Sequence, residues 1–126
     1  MVALRETFSL PTFRPWRRKQ RNGPRSEHRR ENVAAYIVVD SAVHDLESFK
    51  AYSERVGAVL EAHGGKPIAV AEPEHLEGQW FPSRVVILEF PDEEAARGWY
   101  NSSEYQEIIP LRQRAAEDGL VLVRGL

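Results

Sequence analysis

Three short segments of this 126-residue chain are apolar at consecutive positions: "YIVV" at 36–39, "VVIL" at 85–88 and "LVLV" at 120–123. Each is rich in β-branched residues and bounded by polar or turn-forming ones, so each reads as a β-strand. Neighbouring side chains of a strand point to opposite faces, and a sheet with one wet face alternates apolar with polar residues. These three do not alternate. Both faces of their sheet must leave water, and a single layer of helices can cover only one of them.

The chain between the strands supplies that layer. Residues 45–63 place Leu46, Phe49, Tyr52, Val56, Val59, Leu60 and His63 on one helical stripe, with Asp45 as N-cap and Gly64-Gly65 as the stop. "KPIAVAE" at 66–72 reads as a further strand, "EGQWFPS" at 77–83 as a loop, "RVVILEF" at 84–90 as the third strand and "GLVLVRGL" at 119–126 as the fourth. Asp92 caps a second helix with Glu93 and Glu94 in its first turn and Ala95 and Trp99 four residues apart. That helix stops at Asn101. Ser103 with Gln106 has the pattern of a capping box opening the next helix, which Pro110 is expected to kink or interrupt.

The order is βαββαβ, and the halves echo each other: Asp45, Phe49 and Tyr52 in the first, Asp92, Trp99 and Tyr100 in the second. This is the split βαβ, ferredoxin-like arrangement, an α+β fold whose helices lie on one face of a four-stranded antiparallel sheet. No chain remains to cover the other face. A second copy, sheet against sheet about a two-fold axis, is the economical cover, and a stable homodimer of this kind buries more than about 1,000 Å². Trp80 and Phe81, apolar residues in a loop, are candidates for that contact.

Residues 1–33 stand apart in composition. They carry nine Arg or Lys against three Glu, whereas residues 34–126 carry eight against sixteen acidic residues. The front segment has no apolar period, and we read it as a disordered basic extension ahead of a domain at 34–126. A solvated tail is preferred over a basic arm for nucleic acid or an acidic partner and over an Arg-rich targeting peptide. Met1 is the single methionine, so a start at Val33, which would remove residues 1–32 from the native protein, is a further expectation. The acidic domain argues against a nucleic-acid groove, which leaves the tail as the one segment suited to that partner. No run approaches the ~20 apolar residues of a membrane helix, and a cytoplasmic protein without a membrane partner is expected.

The chain has no cysteine, which removes disulfides, thiolate nucleophiles and cysteine-held metal centres. The four histidines, at 28, 44, 63 and 75, have no ligand spacing, so neither a metal site nor a cofactor is expected. Phosphate loops, nucleophile elbows and dinucleotide fingerprints are missing too.

The segments "AAYIVVDSAVHDLESFKAY", "LEAHGGKPI" and "LEGQWFPSRVVILEFPDEEAARGWYNSSEYQEIIPLRQRAAEDGLVLVRGL" resemble the domain-of-unknown-function 1330 family of the dimeric α+β barrel superfamily, from about Ala35 to Leu126. The resemblance implies the ferredoxin-like protomer and a sheet-to-sheet dimer, with a cavity between the sheet and the helices of one protomer. It implies no reaction, because members of the superfamily include both enzymes and binding modules.

With that cavity in view, Tyr52, Phe90, Trp99 and Tyr105 are candidates to hold a ligand, and His63 and Arg84 are the candidate catalytic pair. His63 would accept a proton and Arg84 would polarise a carbonyl or carboxylate. The competing reading of His63 is a helix-terminal residue bonded to the last carbonyls, and that of the aromatic residues is a plain core. By strand parity Arg84, Val86, Leu88 and Phe90 share one face and Glu89 the other. The resemblance implies that the Phe90 face meets the helices, which puts Arg84 at the mouth of the cavity and turns Glu89 toward the dimer, where an ion pair with Arg124 is expected. Three functions follow: a dimeric module binding a small, partly apolar molecule; a cofactor-independent enzyme of monooxygenase or isomerase type; and a non-catalytic structural or regulatory dimer. We prefer the first.

Overall fold

The computed structural model describes residues 33–126; the expectations about the basic front segment lie outside the described residues. The elements follow as β1 (Ala35–Val43), α1 (Leu46–Ala62), β2 (Lys66–Ala71), β3 (Val85–Phe90), α2 (Glu93–Asn101), α3 (Ser103–Ala115) and β4 (Ala116–Arg124). The sheet order is β2-β3-β1-β4, with every neighbouring pair antiparallel. This is the ferredoxin-like α+β fold, with the second helical arm divided into α2 and α3.

Parity decides what is buried. On β1, Ala35, Ile37, Val39 and Ser41 are buried while the residues between them are half-buried. The buried set joins Leu88 and Phe90 of β3 and Tyr52, Leu60, Trp99, Tyr105 and Ile108 of the helices in one core. Aromatic rings form its centre. Trp99 lies 5.5 Å from Phe90 and 4.1 Å from Tyr105 by ring centroids, and all three are essentially inaccessible to water.

The helix ends show how local chemistry sets the architecture. The Asp45 carboxylate accepts from the backbone N–H of Ser48 at 3.2 Å and its hydroxyl at 2.8 Å, which holds the carboxyl below its ordinary range. The two glycines ending α1 have different tasks. Gly64 takes φ +79°, which terminates the helix, and at Gly65 a Cβ would lie 2.5 Å from the Phe90 ring and 2.7 Å from a Leu60 methyl. The chain thus turns tightly enough for β2 to join the sheet.

Ser102 joins α2 to α3. Its hydroxyl donates to the Trp99 carbonyl at 2.8 Å, closing α2, and accepts from the Tyr105 N–H at 3.1 Å, opening α3. The N-cap therefore falls one residue before the expected Ser103, and Gln106 donates its side-chain amide to the Tyr100 carbonyl instead of completing a capping box. Pro110 does not interrupt α3, which runs to Ala115. Gln106 and Pro110 are both exposed, so water can satisfy the Gln106 carbonyl that the proline leaves without a donor.

Other differences from expectation concern ends and edges. Leu46 is 77% exposed, and the apolar stripe of α1 packs against the core only from Phe49 onward. β2 is an exposed edge strand whose pairing slips between Pro67 and Ala69, where the proline offers no ladder donor. Glu89 pairs with Lys66 at 3.7 Å, and its other oxygen accepts from the Tyr36 hydroxyl at 3.4 Å. Arg124 reaches Glu93 instead, at 3.6 Å, because its even parity on β4 turns it to the helix side.

The sheet face away from the helices carries Tyr36, Val38, Val85, Ile87, Val121 and Val123. Val121 and Val123 are 59% and 46% exposed. At one end of this face the Trp80 indole N–H donates to Asp40 at 2.9 Å, and Phe81, 66% exposed, stacks on His75 at 4.2 Å.

Candidate functional site

The antiparallel register arranges the helix-facing side of the sheet in rows. Phe90 and Ala35 pair across β3 and β1, then Leu88 with Ile37 and Leu122, then Val86 with Val39 and Leu120. The last row is polar. Ser41 pairs with Asp118 on one side, and on the other its backbone N–H donates to the Arg84 carbonyl at 2.9 Å. One end of an apolar surface thus carries Arg84, Ser41 and Asp118 side by side.

Over this end the helices leave a cavity of about 510 Å³. Its apolar walls come from Val39, Val86 and Leu88 of the sheet and Phe49, Val56 and Leu60 of α1. Lys66, Pro67 and Val70 of β2 border it where the strand is exposed, which marks its open side. The closed side is formed by Trp99, Tyr105 and Arg112, all buried.

The closed side is polar. The Arg112 guanidinium donates to Asp118 Oδ2 at 2.8 Å, with both side chains almost wholly removed from water. Burial opposes the guanidinium's charge, but the bond to Asp118 and the neighbouring Tyr105 and Tyr52 oxygens outweigh it and raise Arg112 above its ordinary value. The Tyr52 and Tyr105 hydroxyls bond each other at 2.8 Å. Burial, with Tyr105 beside it, pushes the Tyr52 phenol far up, so Tyr52 keeps its proton at any physiological pH.

Four buried polar atoms have no hydrogen-bond partner within the described protein: Ser41 Oγ, Trp99 Nε1, Arg112 Nε and Asp118 Oδ1. All four belong to residues lining this cavity. An unsatisfied buried donor or acceptor costs about 1–3 kcal/mol, and native structures hold few of them. The residues that carry them thus group around one cavity.

The cavity brings together four of the six candidate residues, Tyr52, Arg84, Trp99 and Tyr105. Phe90 lies behind the wall, under Gly65 and against Trp99. His63 caps α1, its Nδ1 lying 3.0 Å from the Val59 carbonyl, and it is outside the cavity lining. Ser41, Arg112 and Asp118 escaped sequence reasoning although each carries a signal. Arg112 continues the apolar stripe of Tyr105, Ile108 and Ile109, Asp118 shares the parity of Leu120 and Leu122, and Ser41 that of Ile37 and Val39. A polar residue in phase with the core is the pattern to look for.

Among the described residues no cluster of three or more His, Asp or Glu could hold a metal, and no helix is long and apolar enough to cross a membrane.

A four-stranded antiparallel sheet with helices on one face and a cavity between them defines a ferredoxin-like α+β protein. Residues 34–126 match the domain of unknown function DUF1330, and the chain belongs to that family. Among solved structures it is similar to a protein of unknown function from Rhodopseudomonas palustris, at 22% identity and a TM-score of 0.63, covering 75% of this chain and 84% of that one. The cofactor-independent oxygenase SnoaB from Streptomyces nogalater is similar at 15% identity and 0.51, covering 72% and 90%. A dimeric ferredoxin-like protein of unknown function from Thermobifida fusca is similar at 10% identity and 0.53, covering 76% and 93%. No curated protein matches the sequence. At these identities the likeness is one of fold.

Proposed function

We propose that this protein binds a small, partly apolar molecule in the cavity between sheet and helices, and that it does so as a homodimer joined through the outer sheet faces. The observation that carries the binding reading is one apolar-walled cavity whose lining residues include all four that hold an unpartnered buried polar atom among the described residues. A volume of about 510 Å³ falls within the ~300–1,000 Å³ range of small-molecule sites, and apolar walls with a few convergent polar groups are their usual composition. The dimer reading is supported by the uncovered valines of β4 and by the fold shared with the dimeric Thermobifida protein.

A catalytic reading with His63 as proton acceptor has less support, since its ring bonds to its own helix outside the cavity. The groups facing a ligand are two phenols, a guanidinium held by a carboxylate, and Arg84. They bind and orient.

Gly57 gives a direct test. It lines the cavity from the middle of α1, and a Cβ there meets nothing within 4 Å. Gly57→Trp should fill the space without disturbing the core. The wild-type protein is expected to enhance the fluorescence of 1-anilinonaphthalene-8-sulfonate with saturable affinity, and the variant to lose that binding with an unchanged far-UV circular dichroism spectrum. Equal binding by both proteins would place the dye elsewhere and remove the cavity from the proposal.

A further inference from the structure

The charges around the cavity are not balanced, and the imbalance selects a ligand. Arg112 and Asp118 neutralise each other in a 2.8 Å pair. Lys66 is matched by Glu89 outside the cavity, and Glu61 is exposed on α1, where water screens its field. Arg84 is different. It is half-buried, it lines the cavity, and among the described residues it has no carboxylate partner, its guanidinium lying 5.6 Å from the centre of the Phe49 ring.

A second observation stands beside it. Ser41, 4% exposed and linked to Arg84 by the backbone bond described above, has a hydroxyl with no partner in the protein. A guanidinium presents paired donors suited to the two oxygens of a carboxylate, and the unpaired Ser41 hydroxyl on the neighbouring strand is a further donor in the same row. Val39 and Val86 lie one row further along the same face, so a ligand anchored at Arg84 continues onto apolar surface. Phe49, beneath the guanidinium, adds an aromatic face to that surface.

We infer that the cavity is selective for a monoanion: a carboxylate on an aromatic or similarly compact apolar body, with the carboxylate at Arg84 and Ser41 and the body against Val39, Val86 and Phe49. This rests on the binding reading above and adds the sign of the ligand's charge. Arg84 sets the specificity, and Asp118 matters because it neutralises Arg112, which confines the uncompensated positive charge to Arg84.

The test uses the full chain and three matched fluorescent probes, 2-naphthoate, 2-naphthamide and 2-naphthylmethylammonium, titrated at low and at moderate salt. The naphthoate is expected to bind at least tenfold more tightly than the amide, and the ammonium most weakly. Arg84→Met, which keeps the apolar stem, should erase the preference for naphthoate over the amide, and Arg84→Lys should restore part of it. Equal affinity for naphthoate and amide, or a preference that survives in Arg84→Met, overturns the charge selectivity while the cavity reading stands. Failure of all three probes to bind, or binding that persists in Gly57→Trp, overturns the cavity reading and this inference together.

Discussion

The two faces of this sheet are built from the same kinds of residue and do opposite things. The helix-facing side carries Ala35, Ile37, Val39, Leu88 and Phe90, all buried, and ends in the row of Arg84, Ser41 and Asp118. The outer side carries Tyr36, Val38, Val85 and Ile87 with the exposed pair Val121 and Val123. Each face also has carboxylates, but they live in different solvents. Asp118 sits in a 2.8 Å pair hidden from water, whereas Asp40 and Glu89 meet Trp80, Tyr36 and Lys66 at the surface. Burial, more than residue type, gives a polar group its energetic weight.

That contrast can be broken from the inner side first. Asp118→Ala leaves Arg112 as a lone buried cation and is expected to cost about 3–5 kcal/mol in urea unfolding, with much of the loss recovered in Arg112→Met combined with Asp118→Leu. A loss under about 1 kcal/mol would mean that water reaches the pair and that the two faces do not differ in this respect.

The outer face supplies the next largest effect. Val121→Lys should change the stability of a lone protomer by less than about 0.5 kcal/mol, because the residue is 59% exposed there. Between two apposed sheets the same lysine would lose water without a partner, weakening association by several kcal/mol. Sedimentation at micromolar concentration should find dimers for the wild type and protomers for the variant. A wild type that sediments as a protomer would leave the outer face unexplained by self-association.

The smallest effect compares hydroxyls across the sheet. Tyr105→Phe removes the 2.8 Å bond to Tyr52 inside the core and should cost about 1–2 kcal/mol. Tyr36→Phe removes a 3.4 Å, half-buried contact to Glu89 and should cost under about 0.5 kcal/mol in the protomer. Equal costs would show that the two environments are not as different as their burial suggests.

How much of this could be read beforehand differs between fold and site. The strands announced themselves because "YIVV", "VVIL" and "LVLV" are β-branched runs, and Asp45, Gly64-Gly65 and Asp92 mark helix ends through chemistry that acts within four residues. The cap at Ser102 was misplaced by one residue because two serines compete there, and only the path of α2 decides between them. In the site, that Arg84 shares a face with Leu88 and Phe90 is legible from parity along one strand, whereas which face meets the helices came from the family resemblance. Arg112 and Asp118 were not paired. They are six residues apart across the junction of α3 and β4, and β4 begins at Ala116, three residues before the expected start at Gly119.

Alone, the sequence determined the order of elements, the parity of each strand and the excess of apolar surface over what one layer of helices can cover, because each depends on side chains within a few positions of one another. The tertiary structure decided which polar residues became neighbours. Ser41 of β1, Asp118 of β4 and Arg84, the residue before β3, are distant along the chain and form a row only through the register of the three strands. A cavity is set by where helices stop short of a sheet, and that distance is a property of the packed whole.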